Sequence, residues 1–507
     1  MGNYYAALDL GTTGTRTMIF DQDGSIISSA YEEWESIFPS PVMVEQKAEI
    51  WWNALKKTIK ESISKSKIDP KDIKSVAVTN QRETIVPVDA DGNSLHNAIV
   101  WQDRRTIKEC EFIENHIGKD KIYQTTGLTI DPYFSGSKIL WIKNRKPKVY
   151  QNTEKFLLVH DYIVYKLTGK WITDYSNASR TMLFDINTLK WSDDLAGDMG
   201  LDLDKMPEAI PSGKQISKIT TDETAFNKDT VVVSGGGDQQ CAALGVGVSV
   251  PGRIKCTTGT GSFILGYLDQ PNLDKKKRVL CSCHTVPGAW VQEASIFTSG
   301  SALRWVRDVI CSTEVSNANK EGIDPYVVMD KLAENSPVGA NGLIIVPHLV
   351  GAGAPHWNPN ARGVIFGLAL GHKRQDIIRG VLEGVSFEVR KNLEVFDELN
   401  TKVKEMRITG GGSRSNIWNQ IMADILNIKC SRAQNEESTA VGAAILASYG
   451  VGDYKSIENA AENLSNITKS WIPNPDNIQK YNKIYDLSKE IYDLLSNAEI
   501  YKKATFI

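Results

Sequence analysis

The chain has 507 residues, of which 41% are hydrophobic and 23% are charged, and its formal net charge is −3. This composition is typical of an ordinary folded protein, and it excludes a disordered tail, a fibre and a polycation that binds nucleic acid. At ~100 to 200 residues per domain, the length predicts two to four compact units.

The first predicted elements form a small antiparallel sheet with a helix against it. Tyr4 to Leu8 predicts a strand, and Thr17 to Phe20 predicts a second strand after a turn of small residues. Ser25 to Ala30 follows a second turn and predicts the third strand. Apolar residues at helical spacing from Ile50 to Ile63 predict a helix that packs on this sheet, and Ile73 to Thr79 predicts a buried strand.

The turn at 9–16, with the sequence DLGTTGTR, is a candidate phosphate site. Backbone N–H groups and threonine hydroxyls in such a turn can hold phosphate oxygens. Asp9 can hold Mg²⁺ through coordinated water, and Arg16 can offset charge on a transferred phosphoryl group. The turn has neither the Walker lysine nor the G-x-G-x-x-G spacing of dinucleotide sites. Taken alone, a Gly/Thr turn is more often a plain hairpin.

Candidate residues for an alcohol acceptor follow along the chain. Arg82 and Glu83 suit hydrogen bonding of vicinal hydroxyls, although adjacent opposite charges are more often a surface ion pair. Trp101 could cover the carbon skeleton of a polyol, although most tryptophans are core residues. Asp238 follows a predicted strand at Val231 to Ser234 and a glycine-rich loop. It is a candidate general base for phosphoryl transfer, with a helix N-cap as the equally weighted alternative.

The second half of the chain repeats the plan of the first. A strand, turn and strand at 252–267 contain the string TTGT, which also occurs at 12–15. A strand at Met406 to Ile408 leads through TGGGSRSN into a helix whose N-terminal donors could hold nucleotide phosphate or ribose. The two matched pairs predict a duplicated domain with a boundary within 245–252 and a ligand site in a cleft between the halves.

The start of the chain and the cysteines indicate the compartment. No basic segment followed by an apolar core opens the chain, and no later run reaches the ~18 apolar residues of a membrane span. We therefore expect a cytoplasmic protein without a membrane span. Seven scattered cysteines predict reduced thiols and not a disulfide framework.

Several strings resemble the FGGY family of carbohydrate kinases, and within it the glycerol kinases. They are LDLGTTGTR, TNQRET, NAIVWQDRRT, GLTIDPYFSGSK, TDYSNASRTMLFDINTLKW, GGDQQ, TTGTGSF, GAGAPHWNPNARGVIFGL and TGGGSRSN. The resemblance implies an α/β fold of two actin-like (ribonuclease H-like) ATPase domains with a cleft between them. Residues 1–248 would bind the acceptor and carry the catalytic base, and residues 249–507 would bind the nucleotide. A homodimer or homotetramer is also implied.

The same resemblance implies a reaction and residue roles. The reaction would be ATP-dependent phosphorylation of glycerol, or a similar small polyol, to sn-glycerol 3-phosphate, with Mg²⁺ near Asp9 through water and Asp238 as the general base. The acceptor would be bound by Arg82, Glu83, Trp101, Tyr133, Asp238, Gln239 and Phe263. The nucleotide would be bound by Thr12, Thr13, Gly14, Arg16, Thr260, Gly300, Arg304, Gly411 and Ser415.

Departures from the glycerol kinase pattern leave alternatives open. Leu10, Gly14 and Thr15 replace Gln, Ser and Ser of that pattern, and the loop at 410–416 is more similar to the xylulokinase branch. A kinase for another polyol or a ketopentose is therefore the alternative enzyme. A catalytically idle nucleotide-binding regulatory protein and an acceptor-independent ATPase are the alternatives from other classes.

Overall fold

The computed structural model describes residues 2–504, and the chain divides into two compact units. Unit 1 comprises Met1–Val250, Tyr267–Val291 and Glu437–Asn466. Unit 2 comprises Pro251–Gly266, Gln292–Glu436 and Ile467–Ile507. The predicted domain limits, 1–248 and 249–507, and the ligand assigned to each domain stay predictions.

The described chain alternates strands and helices. The strands are β1 Tyr4–Leu10, β2 Gly14–Phe20, β3 Ile26–Glu33, β4 Ile37–Ser40, β5 Met43–Gln46, β6 Ile73–Asn80, β7 Ile85–Val88, β8 Ala98–Ile99, β9 Lys155–Leu158, β10 Ile172–Asp174, β11 Phe184–Asp185, β12 Lys190–Trp191, β13 Glu208–Ile210, β14 Gln215–Lys218, β15 Val231–Gly237, β16 Arg253–Thr258, β17 Ser262–Leu268, β18 Leu280–Cys283, β19 Trp290–Ile296, β20 Ile344–Val346, β21 Val364–Phe366, β22 Glu405–Thr409, β23 Lys429–Ala433 and β24 Ile467–Trp471. The α-helices are α1 Ala48–Ser66, α2 Ile107–His116, α3 Lys119–Thr126, α4 Ser135–Arg145, α5 Pro147–Asn152, α6 Val159–Thr168, α7 Tyr175–Ala178, α8 Asp193–Met199, α9 Asp238–Gly245, α10 Gly300–Trp305, α11 Ser312–Glu321, α12 Pro325–Glu334, α13 Arg374–Glu398, α14 Asn416–Leu426, α15 Ser438–Gly450, α16 Ile457–Leu464, α17 Pro475–Asn497 and α18 Ile500–Ala504.

The main sheet of unit 1 grows from the predicted opening strands. β1 pairs antiparallel with β2, and β2 with β3, which confirms that prediction. β6 and β15 add parallel strands on the other side of β1, giving the order β14–β15–β6–β1–β2–β3. The predicted helix is α1, and its buried residues Trp51, Leu55 and Ile59 belong to the hydrophobic core on one face of this sheet.

The other face of that sheet packs against α9 and α15. The two helices approach closely because glycines lie at their crossing. A Cβ atom on Gly245 would lie 1.9 Å from the carbonyl oxygen of Ser438, and one on Gly442 would lie 1.9 Å from that of Cys241. Only residues without a side chain fit there. The crossing therefore fixes α9, and with it Asp238 at its first position.

A second sheet of unit 1 has the order β4–β5–β8–β7–β9. β7 and β8 are antiparallel, with Ile85 opposite Ile99. In such a pair the residues that precede one strand lie beside those that follow the other. Glu83 and Trp101, which are distant in sequence, therefore come from neighbouring ends of the sheet.

Unit 2 contains a sheet with the same local topology. Five of the seven strands in this sheet run in the order β17–β16–β22–β23–β24. β16 and β17 form an antiparallel hairpin, while β22 and β23 are parallel to β16. The prediction that the opening hairpins match is confirmed. The second predicted match is wrong, because β22 occupies the position of β6 and not that of β15. The string TGGGSRSN thus follows the counterpart of β6.

The glycine-rich loop predicted before Asp238 is also absent from the described residues. β15 continues through Gly237, and α9 begins at the next residue. A Cβ on Gly235 would lie 1.7 Å from the carbonyl oxygen of Val78, and one on Gly237 would lie 2.7 Å from Cδ of Arg82. These glycines therefore permit close approach of β15 to β6 and to Arg82.

Two further features concern the cysteines and the apolar character of the helices. The seven cysteines are buried free thiols. Within residues 2–504, no helix combines the length and the apolar character that crossing a membrane would require.

Candidate active site

Two buried charged residues follow β6. The side chains of Arg82 and Glu83 are 2% and 1% exposed, so the alternative of a surface ion pair is wrong. Glu83 has a φ of 62°, and the N–H of Thr84 donates to the carbonyl of Arg82 at 2.8 Å. A positive φ is uncommon for a residue with a side chain and is often found at ligand sites. Ser135 Oγ fixes this turn by donating to the carbonyl of Glu83 at 3.0 Å.

The two carboxylate oxygens of Glu83 have different surroundings. Arg180 Nε donates to Oε1 at 2.6 Å, and both side chains are 1% exposed. Oε2 is buried and has no hydrogen-bond partner within residues 2–504. Leaving a charged oxygen buried without a donor costs free energy. A ligand hydroxyl could supply that donor.

Asp238 is the first residue of α9 and not its N-cap, which is Gly237. Asp238 Oδ1 accepts a hydrogen bond from the N–H of Gln239 at 2.7 Å. A carboxylate in the first turn of a helix is favoured by the helix dipole. The side chain is 32% exposed, and Oδ1 lies 3.5 Å from Arg82 Nε. The N-cap alternative is therefore wrong, while the role as a base stays a prediction.

Two aromatic rings adjoin these charges. The ring centroids of Trp101 and Tyr133 are 5.5 Å apart in an edge-to-face arrangement. The Arg180 guanidinium lies 5.8 Å from the centroid of the Tyr133 ring. Trp101 is partly exposed and so is not a core residue. We call Arg82, Glu83, Trp101, Tyr133 and Asp238 the acceptor cluster, because the sequence predicts that they bind the acceptor. Gln239 adjoins it in sequence and is half-buried.

Two residues that support this cluster were not predicted, Arg180 and Lys138. Lys138 is fully buried and donates from Nζ to the carbonyls of Pro132 and Tyr133, at 2.9 and 2.5 Å. Burial lowers its pKa to about 8, although nearby carboxylates such as Glu83 act in the opposite direction. Both residues lie in strings that carry the family resemblance, but a lone Arg or Lys indicates nothing by its type.

The turn at 11–13 is held by side chains from elsewhere in unit 1. The carbonyl of Thr12 accepts from Trp34 Nε1 at 3.0 Å and from Gln46 Nε2 at 2.7 Å. The Thr12 hydroxyl accepts from Trp101 Nε1 at 3.0 Å. The candidate phosphate turn and the acceptor cluster are therefore joined by a direct hydrogen bond. Thr13 accepts at its carbonyl from the N–H of Trp34 at 3.0 Å.

The other predicted residues of this turn are also engaged. A Cβ on Gly14 would lie 2.7 Å from the carbonyl oxygen of Glu32, so the position needs glycine. The Arg16 guanidinium pairs with Glu437 and lies 5.2 Å from the centroid of the Tyr31 ring. The sequence gives no sign of the Glu437 partner, because it is more than 400 residues away.

Asp9 has the surroundings of a carboxylate that a cation would stabilise. Burial, then the charges of Asp238 and Glu437, raise its pKa to about 7, and Arg16 opposes the rise. Among residues 2–504, no three His, Cys, Asp or Glu side chains are grouped to hold a metal by themselves. Protein-bound Mg²⁺ usually keeps water and phosphate oxygens beside one or two carboxylates, so Asp9 fits such an ion.

In unit 2, Thr260 and Gly300 lie at one packed turn. The carbonyl of Thr260 accepts from the N–H groups of Ser299 and Ser301 at 3.0 and 3.1 Å. A Cβ on Gly300 would lie 2.3 Å from the carbonyl oxygen of Gly259, so glycine is needed where α10 begins. Arg304 is exposed on the same helix, and Phe263 is 37% exposed in β17.

Gly411 and Ser415 lie before α14. A Cβ on Gly411 would meet no atom within 4 Å, so this backbone is open to a ligand. Ser415 caps α14 by accepting from the N–H of Trp418 at 3.1 Å, and its hydroxyl donates to Asp330 at 2.8 Å. Burial raises the pKa of Asp330 to about 6, while this hydrogen bond lowers it. The Ser415 side chain thus already has a structural role.

Family models match both parts of the chain. The N-terminal domain of the FGGY family of carbohydrate kinases matches residues 4–245, and its C-terminal domain matches residues 254–451. The chain belongs to the FGGY family. It is therefore a carbohydrate or polyol kinase, as the sequence predicts.

Individual relatives agree with this family. A glycerol kinase of Caldanaerobacter subterraneus subsp. tengcongensis is 37% identical over 496 residues, covering 96% of this chain and 97% of that protein. A xylulose kinase of Bacillus subtilis is 30% identical over 492 residues, with 96% of each chain covered. The crystal structure of Plasmodium falciparum glycerol kinase with ADP has a TM-score of 0.88 at 25% identity, covering 96% of this chain and 98% of that one. The predicted α/β fold of two actin-like domains is confirmed.

Proposed function

We propose that this FGGY kinase phosphorylates glycerol with ATP, giving ADP and sn-glycerol 3-phosphate. The observation that carries the proposal is the acceptor cluster, in which buried charges adjoin two aromatic rings. Charged groups can pair with the hydroxyls of a small polyol, while the rings cover its carbons. The 37% identity to a glycerol kinase over nearly the whole chain supports the same acceptor.

Asp238 would take the proton of the attacking hydroxyl during in-line transfer. Its partial exposure leaves it accessible to an acceptor, and Arg82, at 3.5 Å, supplies positive charge beside the reacting oxygen. Glu83 Oε2 would accept a hydrogen bond from another hydroxyl of the acceptor. Gln239 and Phe263 are proposed to complete the acceptor contacts.

ATP and Mg²⁺ are the proposed co-substrate and ion. When bound, Mg²⁺ would neutralise charge on the nucleotide phosphates, and Asp9 would hold it through water. Residues 1–248 and 249–507 are proposed as the acceptor and nucleotide domains of a homodimer or homotetramer. The proposed nucleotide contacts are Thr12, Thr13, Gly14, Arg16, Thr260, Gly300, Arg304, Gly411 and Ser415.

A ketopentose is the second candidate acceptor. It is favoured by the 30% identity to a xylulose kinase and by the loop at 410–416. A polar site that is matched to particular hydroxyls discriminates strongly between such acceptors.

An ADP-release assay with several acceptors tests the proposal. Glycerol, erythritol, xylulose and ribulose are compared with a reaction that contains no acceptor. We expect by far the highest kcat/KM with glycerol and little ADP without an acceptor. A higher kcat/KM with xylulose would contradict glycerol as the acceptor but would agree with kinase activity. Equal ADP release without any acceptor would indicate an ATPase, and no ADP release would indicate an idle binding protein.

A further inference from the structure

Arg180 contacts two members of the acceptor cluster without belonging to it. It follows α7, is 1% exposed, and donates from Nε to Glu83 Oε1 at 2.6 Å. Its guanidinium also lies 5.8 and 5.1 Å from the ring centroids of Tyr133 and Phe134. One buried cation therefore touches both a charged and an aromatic part of the cluster.

Arg82 and Arg180 lie at different distances from the carboxylates of Glu83 and Asp238. Arg82 Nε is 3.9 Å from Glu83 Oε1 and 3.5 Å from Asp238 Oδ1. Arg180 makes the shorter contact with Glu83, so Arg82 lies closer to Asp238 than to Glu83. Glu83 keeps its second oxygen buried and without a hydrogen-bond partner in the described chain.

We propose that Arg180 is a positioning residue that sets acceptor specificity. It fixes Glu83 so that Oε2 requires a donor from the acceptor, and it holds the Tyr133 ring that packs against Trp101. An acceptor that lacks the hydroxyl facing Oε2 leaves this oxygen unpaired and binds poorly. This inference rests on the proposed function of the same site.

Loss of the guanidinium changes the cluster in a definite way. Without Arg180, the cations left near Glu83 are Arg82, whose Nε is 3.9 Å from Oε1, and Lys138, on whose pKa the charge of Glu83 acts. The Glu83 side chain then turns towards one of these cations. Oε2 therefore no longer selects for a hydroxyl donor.

The test uses Arg180→Met and Arg180→Lys. For each protein, the Kd of glycerol is measured by calorimetry, and kcat and KM are measured for glycerol, propane-1,2-diol and propane-1,3-diol. We expect Arg180→Met to raise the glycerol Kd and KM by ~10- to 100-fold, because a hydrogen bond between charged groups is lost. In Arg180→Met, the ratio of kcat/KM for glycerol to that for the better diol should fall, while the KM for ATP should stay within ~2-fold. The values for Arg180→Lys should lie between those of Arg180→Met and the unaltered protein.

Arg379 in unit 2 provides a matched control. Its Nε donates to Glu383 Oε1 at 2.7 Å, and its side chain and that of Glu383 are 8% and 2% exposed. Arg379 also bonds the hydroxyl of Tyr481 at 2.9 Å. Arg379→Met removes the same kind of buried pair, so it should lower the Tm without raising the glycerol Kd or changing the preference over the diols.

Several outcomes would overturn the proposal. One is a folded Arg180→Met protein with an unchanged glycerol Kd and preference, and another is an equal change in Arg379→Met. If Arg180→Met does not fold, Arg180→Lys decides by the same criteria. If the unaltered protein does not use glycerol, the proposed function fails, and the Kd and KM are measured for the acceptor it phosphorylates best. If the unaltered protein binds none of glycerol, erythritol, xylulose and ribulose, both proposals are contradicted.

Discussion

The carboxylates of unit 1 differ because of their immediate neighbours. Glu83 accepts a hydrogen bond from the Arg180 guanidinium at 2.6 Å. Asp9 is buried near the carboxylates of Asp238 and Glu437, and these surroundings raise its pKa to about 7. At about pH 7, Asp9 is therefore protonated in about half of the molecules when no cation is bound. The two positions suit different ligands, a hydroxyl donor for Glu83 and a cation for Asp9.

Asp9→Asn is expected to stabilise the protein in the absence of Mg²⁺ and nucleotide. The folded pKa of Asp9 is raised above its ordinary value of 3.8, so the folded state binds a proton that the unfolded state loses earlier. Asp9 therefore reduces stability increasingly as pH rises from about 4 to about 7. The stability gap between variant and unaltered protein should grow by about 2 kcal/mol between about pH 5 and pH 7.5.

Urea unfolding with a chelator at several pH values measures this gap. The other titratable groups are the same in both proteins, so their contributions cancel. The pH dependence of the difference in unfolding free energy therefore reports on Asp9. A gap that does not vary with pH, or that shrinks as pH rises, would contradict the raised pKa.

The contact of α9 with α15 is the element on which the position of Asp238 depends. A Cβ on Gly442 would lie 1.9 Å from the carbonyl oxygen of Cys241, and backbone cannot move aside as a flexible side chain can. Gly442→Ala is therefore expected to lower the free energy of unfolding by about 2–3 kcal/mol and to reduce kcat. Denaturant unfolding and the ADP-release assay measure the two effects.

Gly197 in α8 is the control for this substitution. A Cβ there would meet no atom within 4 Å, so Gly197→Ala should raise stability by about 0.5–1 kcal/mol through helix propensity alone. Equal effects of the two substitutions would contradict the proposed role of the close helix contact.

The hydrogen bond between Trp101 and the turn at 11–13 should couple acceptor binding to nucleotide binding. Trp101→Phe keeps an aromatic ring but loses the N–H that donates to the Thr12 hydroxyl. At about 1 kcal/mol for such a hydrogen bond, we expect the KM values for acceptor and ATP each to rise roughly 3- to 10-fold. Steady-state kinetics with each substrate varied in turn measure both values.

Trp34→Phe is the comparison for Trp101→Phe. It removes a hydrogen bond to the carbonyl of the same Thr12 but leaves the acceptor cluster intact. The acceptor KM should stay unchanged in this variant. If the acceptor KM of Trp34→Phe rose as much as that of Trp101→Phe, loss of either hydrogen bond to Thr12 would have the same effect. That result would contradict a particular role of Trp101 in linking the turn to the acceptor cluster.

At the scale of the whole molecule, local patterns predicted the elements well. The opening hairpins, α1 and β6 follow from hydrophobic periodicity and turn residues, which act over a few positions. Arg82, Glu83 and Asp238 could be predicted as site residues because each is a charged residue that follows a predicted strand. The strings that resemble the FGGY family added Tyr133 and Gln239.

Contacts between distant segments could not be predicted from local patterns. The return of 437–466 to unit 1 brings Glu437 to Arg16 and supplies the helix that packs on α9. Glycines 235–237 were assigned to a loop because glycine favours turns, although here they permit close backbone approach. Arg180 was missed because Glu83, to which it donates a hydrogen bond, lies 97 residues away.

In the proposed reaction, the aspartate at the start of α9 draws the proton from the alcohol. Turnover of glycerol and ATP by Asp238→Asn, together with the Kd of ATP, tests this claim. Asparagine keeps an oxygen for the N–H of Gln239, so the helix start should be preserved. We expect kcat to fall by at least ~100-fold, with the Kd of ATP unchanged within ~2-fold. Turnover equal to that of the unaltered protein would contradict the claim.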